Sequence, residues 1–335
     1  MSFSYPNSLG PNAPGANVQP PTTDSEATAY LLTMFSGEVL ATLREKNVFM
    51  DLTRTMNVGA GTSHQFPVLG QAQAKRHVRG DSLLGDSPDY LSDIESGQRL
   101  ISVDRPIVSS FTVDDWDELL THFEFRAEYA TQLGEALARF MDVQIAKTLV
   151  KAAKSSATLT SQSSSKAGQV LSASGAATSA TTLIEQIREA AAGFEERDVR
   201  AEDLKFFVRP SMYFKIVEQG SDFINRDFGG AGSKARGVID SVYGFSIGMS
   251  NNIPSTNDSS GQAGDINDYT ADYRDTVAIG FHRDAVGTVY RENLMVETDR
   301  LVEYQQDLVV ARMITGSGVL RPECAAVIED PDLTP

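Results

Sequence analysis

Four histidines, one cysteine, an acidic run and a glycine-rich segment ending in lysine are the residues here whose types suit catalysis or ligand capture. The histidines are His64, His77, His122 and His282. None sits in an i,i+4 pair or beside a second ligand at metal spacing, so no zinc site is expected. Cys324 would act as a nucleophile only with a histidine near it in space, and a cysteine in an apolar strand is more often packing. Gly229-Gly230-Ala231-Gly232-Ser233-Lys234 looks like a phosphate loop. It lacks the four-residue gap before a Gly-Lys pair and a strand ahead of it, so a surface loop is the better reading. Asp114, Asp115, Asp117 and Glu118 could work as paired carboxylates, yet acids in a first helical turn are expected from the dipole alone. A chain without a catalytic constellation points mildly to a structural role.

The element around which these residues are arranged runs from Thr112 to Lys154. Thr112 is read as an N-cap with Asp115 as its capping-box partner. A short helix is expected at 115–122, with Trp116, Leu119, Leu120 and Phe123 as its apolar side. After a bend, a long helix should run from Glu124 to Lys154. Ala127, Ala130, Leu133, Leu137, Phe140, Met141, Ile145, Thr148, Leu149 and Ala152 recur along it at three- and four-residue steps, which keeps one stripe facing one way. Glu124 and Glu128 lie near its start and Lys147, Lys151 and Lys154 near its end, as the helix dipole favours. Glu135 and Arg139 are placed to pair across one turn. Roughly thirty residues make about 45 Å of rod. An ordinary enzyme core helix is the plain alternative.

Composition narrows the class. The 335 residues carry a net charge of -16, which disfavours a coat that neutralises phosphates. The single cysteine rules out an internal disulfide framework and fits a reducing compartment. No apolar run is long enough to span a membrane, and a basic-then-apolar leader is not expected at the start.

In chain order, residues 1–25 read as an arm that only a partner would hold. Thr28–Lys46 reads as an amphipathic helix. Asp51–Leu69 turns to strands, with a turn at Asn57–Gly61 and a strand at Gln65–Leu69. A polar stretch follows, carrying Arg76, Arg79, Asp81, Asp86 and Asp89. Arg99–Phe111 then alternates as one strand that Pro106 should confine to an edge or a bulge. Two strands flanking some thirty polar residues make a projecting hairpin that cannot bury its own faces. Ser155–Thr182 reads as a loop or insert. Leu183–Glu196 is expected as a helix, Leu204–Val208 as a strand, and Pro210 opens another helix. Val242–Met249 and Thr276–Phe281 read as strands, with a polar insert at Pro254–Asp272 between them. Leu294–Tyr304 and Leu308–Ile314 read as long strands, with Gly316-Ser317-Gly318 turning the chain into Val319–Ile328. Strands and helices mix without a βαβ repeat, so the class is α+β.

Five segments in order resemble the major capsid proteins of short-tailed, podovirus-type bacteriophages, including those of marine cyanobacteria. They are Phe35–Leu40, Gln65–Gly70, Arg126–Glu135, His282–Val289 and Gly318–Glu323. Residues 1–25, 155–182 and 254–272 carry no such likeness. The resemblance implies the Hong Kong 97-type capsid fold, divided as follows. Residues 1–50 would be the N-terminal arm and helix, 51–69 peripheral-domain strands, and 70–112 the extended loop. Residues 113–182 would be the peripheral domain with its spine helix and Ser/Ala-rich insert, 183–290 the axial domain, and 291–335 the return strands and C-terminus. Gly134 inside the spine helix would then mark close approach by a neighbouring element.

The implied function is assembly without catalysis or cofactor. Subunits would form hexamers and pentamers that close as an icosahedral shell round double-stranded DNA. The loop residues Arg76, Arg79, Asp81, Asp86 and Asp89 would lie across the adjacent subunit. The implied partners are copies of the chain itself, a scaffolding protein during assembly and a portal protein at one vertex. The DNA would be enclosed without specific binding, and the place would be the virion, with the host cytoplasm during assembly. An encapsulin-like nanocompartment shell and a soluble enzyme with a long core helix remain as alternatives.

Overall fold

The computed structural model describes residues 39, 42, 48–70, 72, 74–80, 82–83, 94–114, 125–159, 166–199, 203–219, 241–243 and 245–333. The long helix α1 spans Phe125–Lys154. It contains no proline, and Ala, Leu, Glu, Arg and Lys dominate it, all residues that lose little freedom in a helix. In its first half the buried residues Ala130, Leu133, Leu137 and Met141 form the expected stripe, while Gln132, Ala136 and Arg139 are exposed. From Gln144 to Val150 every side chain is buried. The stripe widens to the full circumference because α1 packs against strands of both large sheets at once.

The first large sheet has the order β5-β14-β11-β6-β8-β7. Its strands are β5 (Gln169–Ser172), β6 (Lys205–Val208), β7 (Ser241–Val242), β8 (Phe245–Met249), β11 (Thr276–Phe281) and β14 (Ala325–Glu329). Helix α2 (Ala180–Glu195) buries Leu183, Ile187, Ala190 and Phe194, and Ser179 caps its start. Helix α3 (Pro210–Gln219) begins with proline at a position that needs no N–H. Aromatic rings knit the core: Phe206 lies edge-on to Phe245, and Phe207 stacks on Phe281 while Phe49 meets Phe207 at 4.8 Å.

The second sheet has the order β1-β12-β13-β4, made of β1 (Arg54–Asn57), β4 (Ile107–Asp114), β12 (Val286–Leu301) and β13 (Gln306–Val319). Strands β2 (Ser63–Leu69) and β3 (Ser96–Ser102) pair antiparallel as a separate ribbon, Ser63 opposite Ser102 and Leu69 opposite Ser96. A last small pair joins β9 (Asn257–Asp258) to β10 (Ala271–Asp272).

Four local expectations are corrected. Thr112 is not a helix cap. It lies in β4 opposite Leu308, because its segment is claimed by β13. Arg99–Phe111 is two strands, parted at Val103–Pro106, where proline cannot continue a ladder. Within the stretch expected as a loop at 155–182, Gln169–Ser172 is a strand running parallel to β14. Gly316–Gly318 is no turn but lies inside β13, opposite Val289–Gly287 of β12. The expected short helix at 115–122 lies outside the described residues, as does most of the expected helix at 28–46, of which Val39 and Thr42 are helical.

Candidate assembly surfaces

The projecting ribbon is rooted in a small second core. Val58, Phe66, Ile101, Val103, Val289 and Leu320 close on one another at its base. Ile101 fits there because Gly287 and Gly318 oppose it across β12 and β13: a Cβ at either position would come within 3.0 Å of its side chain. Away from this root the ribbon turns one face outward. Leu69 is 72% exposed and Leu100 is 58% exposed, and both stand on that outer face. Exposed Gln65, Pro67, Ser96 and Gln98 share that face, and a two-stranded ribbon covered on one side only is marginally stable by itself in water.

Arg76 and Arg79 lie beyond the ribbon, both exposed, with Gly80 after them in the left-handed region at φ +100°. The structure places these two arginines on one projecting segment. Asp81, Asp86 and Asp89, the other members of the expected charged set, lie outside the described residues.

Two buried carboxylates fix the surroundings of α1, and neither was singled out from the sequence. Asp142 sits on the buried side of α1 and accepts the backbone N–H groups of Val48 and Phe49, each at 3.0 Å, and the Asn252 side-chain amide at 3.0 Å. Burial pushes its pKa up, and the three donors work against that shift. Asp104 lies at the corner between β3 and β4. It accepts the N–H groups of Ile266 at 2.7 Å and Asn267 at 2.9 Å, and the hydroxyl of Tyr269 donates to it. Burial, first, and the adjoining Asp104 charge raise the pKa of Tyr269, so its hydroxyl keeps its proton. A polar residue inside an otherwise apolar helical stripe is the one sequence signal that marks Asp142. Asp104 had only its place in a strand break.

The lysines near the end of α1 do more than answer the dipole. Lys147 pairs with Asp258, Lys151 with Asp268 at 2.5 Å, and Lys154 with Glu329 at 2.7 Å. The insert at 254–272, expected only as polar, is thereby clamped to the helix. Arg139 makes no ion pair with Glu135 among the described residues. The side-chain bond from Lys151 is the chief cause that holds the Asp268 carboxyl down at about 2. A carboxyl depressed in the folded state stabilises it above the unfolded value, near pH 4, and that contribution is lost as the pH falls through about 2. Asp268→Asn should therefore flatten the acid limb of the stability curve between roughly pH 4 and pH 2. Denaturant titrations at several pH values check this. The effect should be small, since the pair is solvent-screened.

Among the described residues no enzyme centre assembles around the other candidates. Burial pushes the Cys324 thiol up to about 12, which makes it a packing residue and a poor nucleophile. His282 accepts the N–H of Asp284 at Nδ1 and stands 3.8 Å from Asp203. Among the described residues no cluster of three or more His, Cys, Asp or Glu has metal-binding geometry. Asp114 is in β4, while the Gly229–Lys234 segment and His122 lie outside the described residues. Among the described residues no helix is long and apolar enough to cross a membrane.

A rod-like helix between two sheets, with a ribbon that one copy leaves uncovered, defines a shell subunit of the Hong Kong 97 type. The chain matches the Gp10A-like family model, described as major capsid protein, over residues 65–329, and it belongs to that family. It is 27% identical to the major capsid protein of Enterobacteria phage T3 over 344 residues, covering 92% of this chain and 94% of that one. Its structure is similar to the capsid of cyanophage P-SCSP1u, with a TM-score of 0.75 and 32% identity, over 85% of this chain and 88% of that one. The mature capsid of bacteriophage PhiM1 shares the fold at a TM-score of 0.71 and 17% identity, over 86% of this chain and 88% of that one. The family is structural, which removes the soluble-enzyme alternative, and the relatives named here are phage capsid proteins. The protein is a shell-forming component of the virion that assembles with copies of itself.

Proposed function

We propose that these subunits close as hexamers and pentamers into an icosahedral shell round double-stranded DNA, with the loop at 70–112 laid across the adjacent subunit in each ring. The uncovered outer face of the β2–β3 ribbon, with Leu69 and Leu100, carries this reading. A neighbour would remove that apolar area from water at about 25 cal/mol per Å². Contacts of this head-to-tail kind close only when the rotation per subunit is right. In this reading residues 1–50 are the arm and first helix and 51–69 the first peripheral strands. The peripheral domain continues through 113–182, 183–290 is the axial domain, and 291–335 returns to the peripheral domain. A scaffolding protein attends assembly and a portal protein takes one vertex. The net charge of -16 suits a container wall that does not adhere to the polyanion inside it.

Reversal of both loop arginines, Arg76→Glu with Arg79→Glu, should leave folded subunits and cut shell yield roughly tenfold or more. Like charges set against each other at an interface cost several kcal/mol, and each 1.4 kcal/mol is a factor of ten. Negative-stain microscopy and size-exclusion chromatography read the outcome. Normal shells from the double variant would remove the role given to Arg76 and Arg79.

A further inference from the structure

The insert at 254–272 holds two separate elements at once. One is the foot of the projecting ribbon. The Asn267 side-chain amide donates to the Ser102 carbonyl at 2.6 Å and accepts the Ser102 N–H at 3.2 Å. It thus serves both backbone groups of that residue, as a neighbouring strand would. The Arg105 N–H donates to the Gly264 carbonyl at 3.3 Å, and the Asp104 carboxylate takes the N–H groups of Ile266 and Asn267. Ile101 and Val103 go instead to the small second core. Alternate residues of the foot are therefore gripped by the insert and by that core.

The other element is the C-terminal half of α1. Lys147 pairs with Asp258. Lys151 binds the Asp268 side chain at 2.5 Å and donates to its carbonyl at 2.8 Å. Lys154 donates to the Asp272 carbonyl at 3.2 Å. Steps of four and three residues set these lysines on one face of the helix. Elsewhere a cleft of about 380 Å³ parts Gln262 and Asp265 from Arg139, Phe140 and Val143 of α1, so there the insert bridges a gap.

The two holds differ in kind. At the ribbon end Asp104 and Tyr269 are buried. At the helix end the holds are lysine contacts, and the Asp268 side chain is 70% exposed. Water and salt compete for exposed charges far more than for buried donors, so the helix end gives way first. The ribbon has two further supports, the second core and the residues just past α1, where Arg99 donates to the Thr158 hydroxyl and Leu159 lies against Gly97. We propose that the insert is a strut that fixes the angle of the ribbon against α1. When its lysine holds open, ribbon and insert swing as one body about the second core. The strut stands on contacts within one chain, and only its consequence for assembly rests on the loop-over-neighbour reading above.

Spin labels test it on the full chain, diluted with unlabelled chain so that only distances within one copy are read. Exposed positions serve in pairs: Gln98→Cys on the ribbon, Ser260→Cys on the insert and Ala136→Cys on α1. Cys324 is buried and stays unlabelled. Lys147→Gln with Lys151→Gln should broaden the ribbon–helix and insert–helix distances and leave the ribbon–insert distance narrow. Lys151→Gln alone, at the more open site, should give the same pattern more weakly, and Lys147→Arg with Lys151→Arg should keep the parent's distances. Asn267→Ala should broaden the ribbon–helix and ribbon–insert distances and leave the insert–helix distance narrow. Because the two holds act in series, all three substitutions together should widen the ribbon–helix distance no further than the wider of the two variants. A ribbon–helix distance unchanged by the lysine variants overturns the strut, and so does fully additive broadening, which marks two independent supports. In negative stain the double lysine variant should give shells of mixed diameter. Uniform shells with a broadened ribbon–helix distance would leave the strut standing and count against the loop-over-neighbour reading.

Discussion

Asp104→Ala should remove about 3–5 kcal/mol of stability, a large part of the 5–15 kcal/mol a typical domain possesses. The carboxylate is 6% exposed, so what it leaves behind is not rescued by bulk water. Two backbone N–H groups, at Ile266 and Asn267, lose their acceptor together, and the Tyr269 hydroxyl loses one of its two. Each stranded donor costs about 1–3 kcal/mol. Tyr269 is tied in turn to β13, accepting the N–H of Ser317 at 2.9 Å. The damage should therefore spread to the corner where β3 passes into β4 and loosen the root of the ribbon. Thermal unfolding measures the loss, and hydrogen exchange at 264–270 locates it. Asp104→Asn retains one acceptor and should fall between the two. An alanine variant within about 1 kcal/mol of the parent would show that solvent reaches this corner.

Gly134→Ala should destabilise, against the helix scale. In an exposed helix the same change gains up to about 1 kcal/mol. Here the added Cβ would stand 2.8 Å from the Thr42 Cβ and 2.9 Å from the Val39 carbonyl oxygen. One of those atoms is backbone and cannot rotate away. Overpacking of this kind costs about 1–3 kcal/mol, which outweighs the propensity gain. The segment through Val39 and Thr42 should be pushed off α1 and be cut sooner in limited proteolysis. Lower melting with faster cleavage is the expected pair of results, and a higher melting temperature would refute it.

The periodicity of α1 was legible because apolar residues recur at helical spacing, and Phe125–Lys154 agrees with the expectation. The ribbon was legible too, since β2 and β3 alternate and flank a polar run. The errors have one physical source. Thr112, Gln169–Ser172 and Gly316–Gly318 are strand only because distant strands pair with them. Gly316-Ser317-Gly318 favours a turn by its own composition, and Gln169–Ser172 is a short run set among Ser, Ala, Thr and Gly. Asp104 and Asp142 escaped notice for the same reason: a buried carboxylate is defined by donors from remote segments, 162 residues away for Ile266 and 94 for Val48. Of the expected charged set, only Arg76 and Arg79 lie among the described residues, and both are exposed.

Strand β14 follows every other described strand along the chain yet stands inside its sheet, between β5 and β11. A ribosome making this protein has thus released all the other strands before the piece that joins them arrives. Until then β5 has no partner in its sheet, and α1 lacks one of the strands it packs against. Sequence separation of that length makes folding slow, because a long loop must close before the pairing rewards it. Strand β5 and helix α1 therefore gain that packing only once the chain has been made through Glu329.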